Sequence, residues 1–255
     1  MAWVEPARGH GPRLSLRASW YQRVMARHWL PLVLLCASIG CADPKVSMRV
    51  GPREFVASDY PEVLTRWTRS RSLITLNDLD DLLTVTSTYE SWEFRWAYVI
   101  RYAQDFRLTV EQRRVLLDKT LAESQERHNF YVALYGANRR WTDLSRPNSA
   151  WIVRLIDAQG NETAPTKIEL IPKPGALERT YFPYTTSWRQ AFRIQFPRTA
   201  PDGRPSIAPD AAWFGLRFAG AEGNEELHWD LDRGHTSAIA AAVASPELHP
   251  GEYFE

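Results

Sequence analysis

Residues 213–231 read WFGLRFAGAEGNEELHWDL. Trp213 to Phe218 is aromatic-rich, Glu226 to Leu231 is a second apolar-containing run, and Ala219-Gly220-Ala221-Glu222-Gly223-Asn224 lies between them. Two such runs around a Gly-containing connection read as an antiparallel hairpin. The same reading extends backwards along the chain. Gln190–Phe196 (QAFRIQF) alternates apolar and polar residues, as a strand with one buried face does. Lys167–Ile171, Trp151–Ile156, Asn129–Leu134 and Leu82–Thr88 are further short β-type runs, with a turn at Asp157-Ala158-Gln159-Gly160-Asn161. Pro172, Pro174, Pro183, Pro197, Pro201, Pro205 and Pro209 punctuate the connections.

The period changes between the first run and the rest. Trp92, Trp96, Val99, Ile100 and Ala103 recur at spacings of three and four, the stripe of an amphipathic helix. Thr109 followed by Gln112 is a capping box, which predicts a second helix to about Arg127 with Val115, Leu116 and Leu121 inward. Asp59-Tyr60-Pro61-Glu62 starts a short helix through about Arg69. The expected fold class is mainly β: an antiparallel β-sandwich of the immunoglobulin-like type with an inserted helical pair around residues 89–127. A separate α+β arrangement stays open, because helices intervene early. The domain is expected over residues 58–233, behind a tether at 42–57 and ahead of a poorly ordered tail at 234–255.

The 255 residues carry 44% hydrophobic and 24% charged side chains, which suits a globular domain rather than disorder. The first 41 residues hold five Arg and one acid, so the remainder is net −3. A mildly acidic domain argues against generic nucleic-acid binding. Cys36 and Cys41 are the only cysteines, so nothing after Cys41 can form an internal disulfide, a Cys-based zinc site or a cysteine nucleophile.

Leu30–Gly40 (LPLVLLCASIG) is an apolar run too short to span a bilayer but of the length of a signal-peptide core, preceded by Arg23 and Arg27. Read from Met25, the segment is a compact signal peptide, so Met25 is the expected true start; a genuinely extended leader is the alternative. Ser38-Ile39-Gly40-Cys41 resembles the lipobox of bacterial lipoproteins. That resemblance implies diacylglycerol transfer to the Cys41 thiol, cleavage before Cys41 and acylation of the new amino terminus. Gly40 fits the family pattern; Ser38 and Ile39 depart from its preferred Leu and Ala or Ser. Ordinary cleavage after Ala42, releasing a soluble protein, is the competing reading. The resemblance covers the first 41 residues. The domain behind them resembles uncharacterised envelope lipoproteins in architecture alone.

Candidate sites are sparse. Asn77-Asp78-Leu79-Asp80-Asp81 is acidic, but Leu83 stands where a calcium loop needs Gly. His228, Asp230, Asp232 and His235 lack zinc-enzyme spacing, and no metal or cofactor is expected. The chain has no Gly-x-Ser-x-Gly elbow, Walker loop or dinucleotide fingerprint, and no catalytic residue is singled out. Trp92 and Trp96 read as core. Tyr181, Phe182, Tyr184 and Trp188, in a Pro-broken stretch, form a candidate recognition loop, with coverage of a sandwich edge as the other reading. These readings favour a membrane-anchored extracytoplasmic lipoprotein acting as a binding or envelope-assembly module. Its partners would be the membrane, through the lipid, and another envelope protein. The preferred address is the outer membrane facing the periplasm. An envelope hydrolase or carbohydrate-binding module with a spatially assembled site is the alternative.

Overall fold

The computed structural model describes residues 43–74, 81–136 and 138–232. Met25, Cys41, the acidic residues Asn77 to Asp80, His235 and the tail at 234–255 lie outside the described residues; of Asp81 the backbone alone is described. Four α-helices are described, α1 (Tyr60–Trp67), α2 (Trp92–Asp105), α3 (Val110–Glu126) and α4 (Ala176–Tyr181), with a 3-10 turn at Ala57–Asp59 ahead of α1. The strands are β1 (Thr68–Ile74), β2 (Asp81–Tyr89), β3 (Arg127–Tyr135), β4 (Trp151–Asp157), β5 (Glu162–Thr163), β6 (Lys167–Ile171), β7 (Gln190–Pro197), β8 (Trp213–Gly220) and β9 (Gly223–Asp230).

The strands form two sheets, ordered β1-β2-β3-β7-β6 and β5-β4-β8-β9, with every ladder antiparallel. Within them, β2-β3-β7-β6 and β4-β8-β9 follow the ABED and CFG orders of an immunoglobulin-like sandwich, with β1 and β5 added at the edges. Phe130, Val132, Ile194 and Phe196 from one sheet share a core with Val153, Leu155, Phe214, Leu216, Phe218 and Trp229 from the other. Period-two alternation dictates this, since residues two apart on a strand point the same way.

The 213–231 hairpin is tighter than its glycines suggest. Gly220 pairs with Gly223, leaving Ala221 and Glu222 as the turn. Gly223 has φ 147°, which a side chain rarely adopts, and a Cβ there would crowd the Leu73 side chain.

The helical insertion starts where its caps say. Ser91 Oγ accepts from Phe94 N at 3.0 Å. Thr109 Oγ1 accepts from Gln112 N at 3.2 Å, while Gln112 Oε1 accepts from Thr109 N at 3.0 Å. Trp92, Trp96 and Val99 of α2 pack on Leu117 and Leu121 of α3. Val115, expected inward, is exposed. It lies two residues from Leu117, about 200° around the helix, so it cannot share the stripe of Leu117, Leu121 and Ser124.

Two further differences concern the N-terminal part. The helix expected to reach Arg69 stops at Trp67, and Thr68–Ile74 continues as β1. This strand is polar because it is an edge: Thr68, Ser70 and Ser72 pair their hydroxyls with Thr88, Thr86 and Thr84. Its buried residue is a charged one. Arg69 donates to the carbonyls of His228, Arg66, Thr68 and Pro44 at 2.7–2.9 Å, tying the N-terminal segment to β9. The stretch read as a tether is therefore partly built into the domain. Val46 is buried and bridges Leu231 in parallel, donating to Asp230 O at 2.8 Å.

Candidate functional site

Strand register sets which loops meet. Tyr135 pairs with Thr84, Leu134 with Gln190, and Trp151 with Gly220. The β3–β4 loop, the segment before β7 and the Ala221-Glu222 turn therefore emerge at one end of the sandwich. Asp230 pairs with Trp213 at the other end, where Val46 also sits.

Three of the four residues of the expected recognition loop turn inward. Tyr181 closes α4, whose start is fixed by the Glu178 carboxylate accepting from Gly175 N at 2.8 Å. Its ring lies among Tyr60, Tyr98 and Tyr102, and its hydroxyl donates to Asp105 Oδ2 at 2.9 Å. Phe182 stacks on Tyr131 with centroids 3.8 Å apart and planes 3° from parallel. Tyr184 is partly buried, its hydroxyl 2.7 Å from Thr88 Oγ1. The outer face of the five-stranded sheet is apolar at Tyr131, and these rings cover it. Trp188 differs: it is 77% exposed, on a turn closed by Arg189 N donating to Thr186 O at 3.2 Å.

Sequence reasoning passed over a second exposed ring at the same end. Trp141, 56% exposed, sits in the β3–β4 loop. Its carbonyl accepts from Ala150 N at 2.8 Å and Ser149 Oγ at 3.1 Å, and its N–H donates to Asn138 O at 3.1 Å. Asp143 braces the loop by accepting from Ser145 Oγ and Arg146 Nε. Those bonds, with burial opposing them, hold its carboxyl below the usual range. Gly136 at the loop root has no room for a Cβ against Thr142. Thr142 Oγ1 donates to Gln190 Oε1 at 2.7 Å, joining the Trp141 loop to the strand that follows Trp188. The signal for Trp141 was a large aromatic inside the polar run Asn138-Arg139-Arg140.

A cavity of about 190 Å³ lies where α2, α3, β3, β7 and the residue after α4 converge. Arg95, buried, donates to Glu90 O, Thr120 O, Glu90 Oε2 and Glu123 Oε2 at 3.0–3.3 Å. Burial opposes ionisation of Glu123, but Arg95 and the Asn129 amide outweigh it and hold the carboxyl below its ordinary value. Phe94, Tyr98 and Phe182 form the apolar wall, and burial pushes the Tyr98 phenol up to about 12.

His228 stacks on Trp213 at 4.1 Å and meets Glu226 Oε2 at 2.7 Å. Among the described residues, no group of three His, Cys, Asp or Glu is placed to hold a metal ion, and no helix is long and apolar enough to cross a membrane. The chain matches no family model, no curated protein and no solved structure.

Proposed function

We propose that the protein is a lipid-anchored extracytoplasmic binding module, held by an acylated Cys41 and contacting another envelope protein through the sandwich end that carries Trp141 and Trp188. The observation that carries this reading is the pair of exposed indoles on hydrogen-bonded loops at one end. A rigid, solvent-facing Trp costs little conformational entropy on binding and contributes a large contact area. The chain enters the domain at Asp43, beside Arg69 and close to the opposite end of the strands. The outer membrane, facing the periplasm, is the address this reading favours.

Two measurements test it. Intact mass of membrane-extracted protein is expected to show a chain starting at Cys41 with acyl mass, which Cys41→Ala loses. In-cell cross-linking from the Trp end is expected to give one discrete adduct that Trp141→Ala/Trp188→Ala loses while remaining folded and anchored. An unmodified, soluble chain starting at Asp43 overturns the anchor. An adduct indifferent to both tryptophans overturns the contact surface.

A further inference from the structure

The cavity beneath the helical insertion has features that a purely structural ion network does not need. Arg95 is saturated by carbonyls and carboxylates. Its neighbours are not. Glu90 uses Oε2 on Arg95, while its Oε1 faces Arg193 Nη1 at 3.8 Å, beyond hydrogen-bond length. Arg193 lies over the Tyr131 ring at 6.0 Å, half exposed, and its guanidinium donates no hydrogen bond within the described residues. Asn129 is 7% exposed; its Nδ2 donates to Glu123 Oε1 at 2.8 Å, which fixes the amide orientation and leaves Oδ1 buried without a partner.

The cavity therefore offers a guanidinium and a carboxylate oxygen that face each other as an ion pair at 3.8 Å without a hydrogen bond, and an aromatic wall from Phe94 and Phe182. The two arginines and two glutamates around it cancel in charge, so a net ion gains nothing there that its opposite would not. A molecule carrying both signs gains from both. A cavity of about 190 Å³ has room for a small molecule.

We propose that this cavity is a binding site for a small zwitterion of the free α-amino acid type. The carboxylate pairs with Arg193, the ammonium with Glu90 Oε1, and an aliphatic side chain rests on Phe94 and Phe182. Arg193 is half exposed at the mouth, so the carboxylate end faces outward. This site is independent of the Trp-bearing end and of the anchor, and either reading can fail without the other.

The test is isothermal titration of the purified full-length chain, at concentrations that resolve dissociation constants up to about 1 mM. Glycine, alanine, valine and leucine probe size. 4-Methylpentanoate carries the carboxylate of leucine without its ammonium, and 3-methylbutylamine the ammonium without the carboxylate. At least one amino acid is expected to bind with one-to-one stoichiometry, and its single-charge counterparts at least tenfold more weakly. Arg193→Gln is expected to weaken binding at least tenfold while unfolding stays cooperative, because its guanidinium makes no hydrogen bond that the fold needs. Equal binding of the carboxylate or of the amine alone overturns the zwitterion assignment. Absence of heat from every probe overturns the site and leaves the cluster as a structural clasp.

Discussion

Strands β3 and β9 belong to opposite sheets and are buried in opposite ways. Every residue of β3 from His128 to Leu134 is buried, whereas β9 buries Leu227 and Trp229 and leaves Asp230 and Asn224 in water. The reason is a third layer. Tyr131, on the outer side of β3, is covered by Phe182, which in turn stacks on Phe94 of α2. The outer side of the other sheet carries Arg217, paired with Glu226 at 2.7 Å and also with Glu162, and no helix among the described residues lies over it. Among the described residues one sheet is thus held from both faces and the other from one, and both candidate sites depend on the doubly held sheet.

The sharpest way to probe that asymmetry is to empty each interface in turn. Trp229 is fully buried between the sheets, stacks on Phe214 at 5.4 Å and donates to Trp67 O at 2.9 Å. Trp229→Ala is expected to cost about 3 to 5 kcal/mol, read from the urea midpoint at constant slope. Phe182→Ala, on the outer face, is expected to cost about 3 kcal/mol. A loss below about 1 kcal/mol for Phe182→Ala would mean the helical layer rests on the sheet without stabilising it, and the comparison would break.

Acid reaches the doubly covered sheet by its own route. His128 on β3 is fully buried against the Tyr89 hydroxyl at 2.9 Å, and burial, with Arg198 nearby, lowers its pKa well below 6.5. The folded state keeps the ring neutral while the unfolded chain takes up a proton below about pH 6.5. Stability is therefore full above that pH and falls as pH drops towards the folded value, by up to about 1.4 kcal/mol per unit. His128→Gln, which leaves the Tyr89 hydroxyl a partner, is expected to flatten this stretch of the curve. A wild-type profile flat between pH 6.5 and 5 contradicts it.

A smaller effect separates the insertion from the sandwich. Thr109→Ala removes the hydroxyl that caps α3 and is expected to cost about 1 kcal/mol. Hydrogen exchange should place the loss in α2 and α3, with β8 and β9 unchanged; a uniform loss would show that the helical pair and the sandwich unfold as one unit.

Legibility in the sequence follows the same asymmetry. The hairpin of β8 and β9 was readable because one face is wet and alternation survives; β6 was read to the residue at Lys167–Ile171. The capping box at Thr109 announced α3 because its chemistry is local. Strand β1 escaped because edge position replaces apolar residues with Ser, Thr and Arg, and α4 escaped because it is six residues long and held by tertiary contacts. The tyrosines before β7 read as a loop surface because nothing along the chain reports that Tyr131 needs a lid. The cavity was illegible for a related reason: Glu90, Arg95, Glu123, Asn129 and Arg193 come from separate elements and meet only through the fold.

The smallest stability effect carries the most functional weight. Trp188 is 77% exposed and is held by its backbone turn, with no ring contact to another aromatic among the described residues. Trp188→Ala is therefore expected to change stability by less than about 0.5 kcal/mol, against several for Trp229→Ala. On the proposed reading, in which Trp188 contacts a neighbouring protein, the same substitution is expected to remove the cross-linked adduct. If Trp188→Ala instead costs more than about 1 kcal/mol, the ring is packing on the domain, and the sandwich end loses half of the surface on which recognition has been argued.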